Sequence, residues 1–215
     1  MIILFNGPPR SGKDFAADYF KKKGFKHLSF KYQLYKETIK YFDVNEQWFM
    51  TRYKNRAEKE TPSALLGHMS CREAMIYVSE QVIKPKKGLD FFGKQVANEI
   101  EDDKDYCISD GGFIDELIPV INRIGSDNFV LVQLTRDGCD YSTDSRRYFD
   151  GNIVHQYVNS HKTHIEKKYV LPRKFDVRTY RIHNNGSIGA FHKSLEDIYE
   201  KEYNERAQTK RKVEV

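Results

Sequence analysis

At 215 residues, 39% of them hydrophobic and 31% charged, the chain has the length and apolar content of one sizeable globular domain. No apolar run approaches the ~20 residues of a membrane span, and Cys71, Cys107 and Cys139 form neither a disulfide framework nor a C-x-x-C pair, which points to a reducing cytosol. The formal charge of +5 suits small anionic ligands without requiring nucleic acid, and much of it lies in short runs such as Lys21–Lys23 and Lys210–Lys212.

Ile2–Phe5 is a short unbroken apolar run, the pattern of a central parallel strand buried on both faces. With no basic n-region or cleavage site around it, it reads as a first strand and not as a signal peptide. GPPRSGKD, Gly7 to Asp14, follows at once. It fits G-x-x-x-x-G-K-[ST] except at its end, where Asp14 replaces the hydroxyl. A helix from near Ser11–Lys13 to about Lys22 is expected next, with Phe15, Ala16, Tyr19 and Phe20 as its packing stripe. Lys26–Phe30 reads as a strand and Tyr32–Phe42 as a helix facing inward through Leu34, Ile39 and Phe42. Glu46–Glu60 is helical in composition up to the break at Pro62. Arg72–Lys84 should be a helix capped by Ser70 and Glu73 and closed by Pro85 and Gly88, and Leu89–Ile100 another.

Tyr106–Asp110 has strand character and ends in an acid before Gly111-Gly112. Phe113–Ile124 reads as a helix bent at Pro119, and Phe129–Thr135 as a strong strand. The polar stretch Arg136–Tyr148 is too long for a simple turn. Asp176–Ile182 is the last expected strand, followed by the turn HNNGS and a helix over Ser194–Arg206. These βα units predict an α/β fold of P-loop NTPase type, three layers about a parallel sheet. They make one domain over residues 1–206, with excursions at 43–90 and 136–170 as substrate covers and a basic tail at 207–215.

The loop directs backbone N–H groups and a helix dipole at an anion. Gly7 and Gly12 allow close approach, Ser11 and Lys13 reach the phosphates, and Arg10 projects either over a phosphate or into solvent. Asp14 can hold a Mg²⁺-bound water or cap a helix amine. Asp110, at the C-terminal end of its strand, can position Mg²⁺ or simply begin the glycine turn. Arg136, Arg146 and Arg147 sit in the polar stretch, where a closing loop would bring positive charge to a transferring phosphoryl group. Asp137, Asp140 and Asp144 are the competing partners for them. Arg72 at a helix start suits an acceptor phosphate; Arg52 and Arg56 are weaker candidates, and Phe91 and Phe92 serve either stacking or the core. Cys71 lacks a Cys–His–acid setting, and His155, His161 and His164 lack metal-site spacing, so they read as surface residues.

Taken together, GPPRSGKD at 7–14, TPSALLGHMSCREAMIYVSEQVI at 61–83, GLDFFGKQVA at 88–97, SDGGF at 109–113 and HNNGSIGAFHKSLEDIY at 183–199 resemble the phage deoxynucleoside monophosphate kinases, within the P-loop nucleoside monophosphate kinase group. The resemblance implies Mg²⁺-dependent transfer of the ATP γ-phosphoryl group to a deoxynucleoside monophosphate, in the cytoplasm of a host cell. It implies donor binding at Gly7–Asp14, acceptor binding by Arg72 and Phe92 under the 43–90 excursion, a lid at 136–150, and a homodimer. Dephospho-coenzyme A kinase, another small-molecule kinase, a nucleic-acid 5′-end kinase and a noncatalytic nucleotide-binding regulator remain as alternatives.

Overall fold

The computed structural model describes residues 1–142, 144, 146–149 and 176–213, and His155, His161 and His164 lie outside them. Two compact units emerge. One gathers residues 1–28, 102–114 and the described residues from 124 onward; the other gathers 29–101 and 115–123.

The first unit is built on a parallel sheet of five strands, β1 (Ile2–Asn6), β2 (Lys26–Leu28), β3 (Tyr106–Ile108), β4 (Phe129–Thr135) and β5 (Arg178–His183), in the order β2-β3-β1-β4-β5. Every residue of β1 is buried, as its apolar run predicts for a central strand covered on both faces. Helix α1 (Lys13–Lys22) returns along the sheet and packs Ala16, Ala17 and Phe20 against Ile3 and Phe5. Phe15, expected in that stripe, is instead partly exposed and stacks on Phe191 at 5.4 Å.

Polar capping explains most differences from the expected boundaries. β2 stops at Leu28 because Ser29 caps α2 (Phe30–Phe42), its hydroxyl accepting from the Tyr32 N–H at 3.1 Å. Asn55 divides the Glu46–Glu60 segment into α3 (Glu46–Lys54) and α4 (Arg56–Lys59) by accepting from the Ala57 and Glu58 amides. The expected Ser70–Glu73 capping box is present at α5 (Cys71–Tyr77). The helix does not end at Pro85, however. A π-helical stretch, Val78–Ile83, leads into α6 (Lys84–Lys87), where Pro85 occupies the first turn and tolerates its missing N–H. Gly88, with φ of +97°, ends the run. α7 (Phe91–Asn98) follows, and α8 (Ile114–Ile124) carries Pro119 within it. These helices of the second unit close over Phe49, Leu66, Ala74 and Met75 in one cluster and Val78, Ile83 and Phe92 in another.

The last helix, α9, spans Ile188–Val213, starting earlier than expected because Ser187 accepts from the Ala190 amide at 3.2 Å. Phe191, Leu195 and Ile198 bury its inner face beside α1. Glu202 is fully buried, accepts the Tyr180 hydroxyl at 2.6 Å and pairs with Arg178 at 2.8 Å, joining α9 to β5. Burial, reinforced by Glu202, pushes the Tyr180 hydroxyl's pKa up, so it stays a donor. Among the described residues no helix is long and apolar enough to cross a membrane. Glu202→Ala removes that charged acceptor, and chemical denaturation should show a loss of roughly 1.5–3 kcal/mol; a loss below about 0.5 kcal/mol, the size of an ordinary surface substitution, would dismiss the joint.

Candidate functional site

The order of the strands decides which loops meet. From β1 the chain crosses to β2 and β3 on one side, and from β3 it goes to β4 and β5 on the other. The loops after β1 and β3 therefore leave in opposite directions, which opens a crevice at the C-terminal ends of those strands. The β1 loop is Gly7–Gly12; the β3 loop carries Ser109, Asp110, Gly111 and Gly112.

Two left-handed residues shape the first loop, Arg10 at φ +68° and Gly12 at φ +105°. At Gly12 a side chain is excluded twice over. The backbone is strained for any L residue, and an added Cβ would lie 2.5 Å from Asn184 Nδ2. The turn aims the start of α1 at the crevice. Ser11 Oγ is buried with no hydrogen-bond partner among the described residues, a polar atom prepared for a ligand. Lys13 is only 8% exposed, and its ammonium donates to the Pro8 carbonyl at 2.6 Å.

Asp14, in the first turn of α1, accepts the Ser109 hydroxyl at Oδ1 over 2.9 Å, and Ser109 Oγ lies 3.3 Å from His27 Nε2. Asp110 is buried next to Ser109. Among the described residues no three His, Cys, Asp or Glu side chains form a metal cage. Mg²⁺ carried by a nucleotide needs only one or two carboxylates besides the phosphates. Asp14 in the first turn of α1 and Asp110 after β3 are oxygen donors of the type Mg²⁺ takes.

The arginines of the polar stretch take different places. Arg136 donates to the Arg10 carbonyl at 3.4 Å, on the rim of the first loop. Arg146 is held by Asp144, with its Nε 2.9 Å from Oδ1 and its Nη2 on Oδ2, and its side chain covers Gly112. The hydrogen bonds that Arg146 donates to Asp144 raise its pKa against the cost of burial, with help from the charge of Asp110. Arg147 offers its carbonyl to Asn6 Nδ2 at 3.1 Å.

That last contact belongs to a network that sequence reading missed. Asn6, wholly buried at the end of β1, also donates to the Tyr141 hydroxyl at 3.2 Å and accepts the Phe149 amide at 2.8 Å. Gln133 donates to the Phe149 carbonyl at 2.6 Å and accepts from Arg181 at 2.8 Å. The described residues of 141–149 are thus pinned to the strand ends. Asn184 was missed too; it donates to the Ser11 carbonyl at 3.0 Å and braces the first loop. For Asn6 the usable signal was a polar residue ending an otherwise apolar strand; Asn184 had no such signal.

In the second unit Arg72 lies in the first turn of α5 and pairs with Glu60 at 3.1 Å on the surface. Arg52 donates to the Thr61 carbonyl at 3.0 Å and lies 5.5 Å from the Trp48 ring, bracing the chain after α4. Phe92 is 1% exposed in the cluster with Val78 and Ile83, so its ring is spent on packing. Cys71 is buried, and burial pushes its thiol's pKa up, away from nucleophilic use.

No family model matches the chain, and no curated protein matches it in sequence. Among solved structures it is similar to a candidate kinase from Chloroflexus aurantiacus, at 7% identity and a TM-score of 0.41, over 91% of this chain and 96% of that one. A likeness that distant carries no argument about chemistry, which rests on the residues above.

Asn6→Ala deprives a buried amide and a carbonyl of their partners at once. The expected cost is about 2–3 kcal/mol, together with faster hydrogen exchange at Phe149. Unchanged exchange there would mean that Asn6 does not hold the 141–149 segment.

Proposed function

We propose that the chain transfers the γ-phosphoryl group of ATP to a nucleoside monophosphate, with deoxynucleotides as the natural acceptors, giving ADP and the diphosphate. The observation that carries this reading is the first loop. A G-x-x-x-x-G-K sequence forms a left-handed turn into α1, with a Ser11 hydroxyl that is buried and has no partner among the described residues, and β3, the neighbour of β1, runs on to the buried Asp110.

In this mechanism the loop amides from Gly7 to Gly12 receive the donor phosphates, and Arg10 closes over them. Lys13 exchanges the Pro8 carbonyl for a phosphate oxygen, a stronger charge-assisted bond. Asp14 and Asp110 hold the hydration shell of Mg²⁺, which when bound neutralises the bridging phosphate oxygens. Arg136 and Arg147 meet the charge that develops on the transferring group, and Arg146 fixes positive charge near Asp110. Arg72 takes the acceptor phosphate by leaving its exposed partner Glu60. We assign acceptor binding to the second unit, with Arg52 bracing it and Phe92 backing the acceptor pocket from the core. No phospho-enzyme is needed, because an in-line reaction requires only positioning and charge. The protein acts on free nucleotides in the cytoplasm of a phage-infected host.

The test is incubation with Mg²⁺-ATP and each common monophosphate, with separation of the products. Equal amounts of ADP and one or more deoxynucleoside diphosphates are expected. Lys13→Ala should cut turnover by roughly 10²–10³-fold, the scale for losing one preorganised donor of transition-state charge. Product only from dephospho-coenzyme A or from DNA 5′ ends would move the acceptor elsewhere, and nucleotide binding without transfer would end the enzyme reading.

A further inference from the structure

The loop has a carboxylate, Asp14, where its pattern calls for a hydroxyl. The hydroxyl is not lost from the site. Ser109, just past the end of β3, puts its Oγ 2.9 Å from Asp14 Oδ1, so the two side chains reach the same place from neighbouring strands. Ser109 is 6% exposed, so the hydroxyl side of the bond is buried.

Counting protons gives this contact a direction. An ionised carboxylate only accepts, and a serine has one proton to give. With that proton on Asp14, the 3.3 Å contact between Ser109 Oγ and His27 Nε2 must be donated by His27. In the Nε2–H form of His27 the three side chains make one chain of donation, His27 to Ser109 to Asp14. An exposed aspartate in the first turn of a helix would otherwise sample several rotamers. Here Oδ1 is committed to the Ser109 hydroxyl.

We propose that Ser109 is a positioning residue of the nucleotide site, supplying from the end of β3 the hydroxyl that the loop lacks at position 14. It fixes the Asp14 carboxylate for the hydration shell of a nucleotide-borne divalent cation, and His27 orients it. This inference rests on the nucleotide-binding reading above. It goes further by naming two residues outside the loop, and it explains how a carboxylate works at a hydroxyl position.

The test uses the full chain with ADP and Mn²⁺, following free Mn²⁺ by electron paramagnetic resonance and ADP affinity separately in EDTA. Ser109→Ala should weaken Mn²⁺ binding to the ADP complex by roughly 10-fold, the low end for losing an outer-shell partner of a metal ligand. ADP affinity in EDTA should stay within twofold. Ser109→Thr keeps the hydroxyl and should restore Mn²⁺ binding. His27→Gln keeps a donor and should resemble the parent protein, whereas His27→Phe should not. In an Asp14→Ser background the effect of Ser109→Ala should vanish, because the partner it positions is gone. Should Ser109→Ala fail to fold, the two His27 variants carry the test alone. Mn²⁺ affinity within twofold of the parent for Ser109→Ala, or equal affinities for His27→Phe and His27→Gln, would overturn the role of Ser109 and leave the nucleotide reading standing. A parent protein that binds no ADP would overturn both.

Discussion

The candidate site depends on one pairing pattern: β1 lies between β3 and β4, hydrogen-bonded to both. Leu4 is in register with Ile108 on one side and Leu131 on the other. In parallel strands this alignment puts all three C-terminal ends at one edge of the sheet, with Asn6 level with Gln133. Residues 95 and 143 positions apart then meet without any one segment having to fold back. Asp14 finds Ser109, and Asn6 finds Phe149, because their strands are neighbours.

That edge is polar, while the strands leading to it are almost wholly apolar. The contrast has a physical reason. A parallel sheet covered on both faces has no water within reach, so an unpaired polar side chain inside it would cost a few kcal/mol. Polar groups therefore collect where the strands end, and there they bond to one another. Asn6 is the clearest case. Its side chain bonds to Tyr141, Arg147 and Phe149, which ties the described residues of 141–149 to the end of β1. Arg146 over Gly112 adds a second fixed point on the β3 side.

The sequence analysis reached the first loop, the apolar strands and the α/β class because each depends on local pattern. β1, β4 and α1 fall within a residue or two of their expected limits. It did not reach Ser109 or His27, since neither has a local signature and the bond between them exists only because β2 and β3 are adjacent. The same holds for Asn184, read as part of a turn, whose partner Ser11 is set by tertiary folding. Boundary shifts at Ser29, Asn55 and Ser187 have a different origin. A single capping side chain outweighs the apolar periodicity of its neighbours, because it satisfies helix-end amides that would otherwise lack a partner. The passage of the helix through Pro85 shows the converse, a breaker tolerated where the helical hydrogen-bond pattern changes.

The arginines can be ranked by what holds them now. Arg146 and Asp144 have side chains only 16% exposed, and their contact is multiply hydrogen-bonded. Removing one member of such a pair costs about 3–5 kcal/mol when fully buried and somewhat less here. Arg146 is therefore fixed in place over Gly112, with its charge balanced by Asp144. Arg72 and Glu60 differ, with side chains 57% and 54% exposed. A pair this open contributes at most about 1 kcal/mol, so a dianionic phosphate can take the guanidinium at little cost. Arg136 also has a weak hold, a long side-chain bond of 3.4 Å to the Arg10 carbonyl. Groups that must engage a substrate and release the product need such exchangeable partners, whereas groups that set the background potential need permanent ones. By that criterion the Arg72–Glu60 pair is of the exchangeable kind and the Arg146–Asp144 pair of the permanent kind.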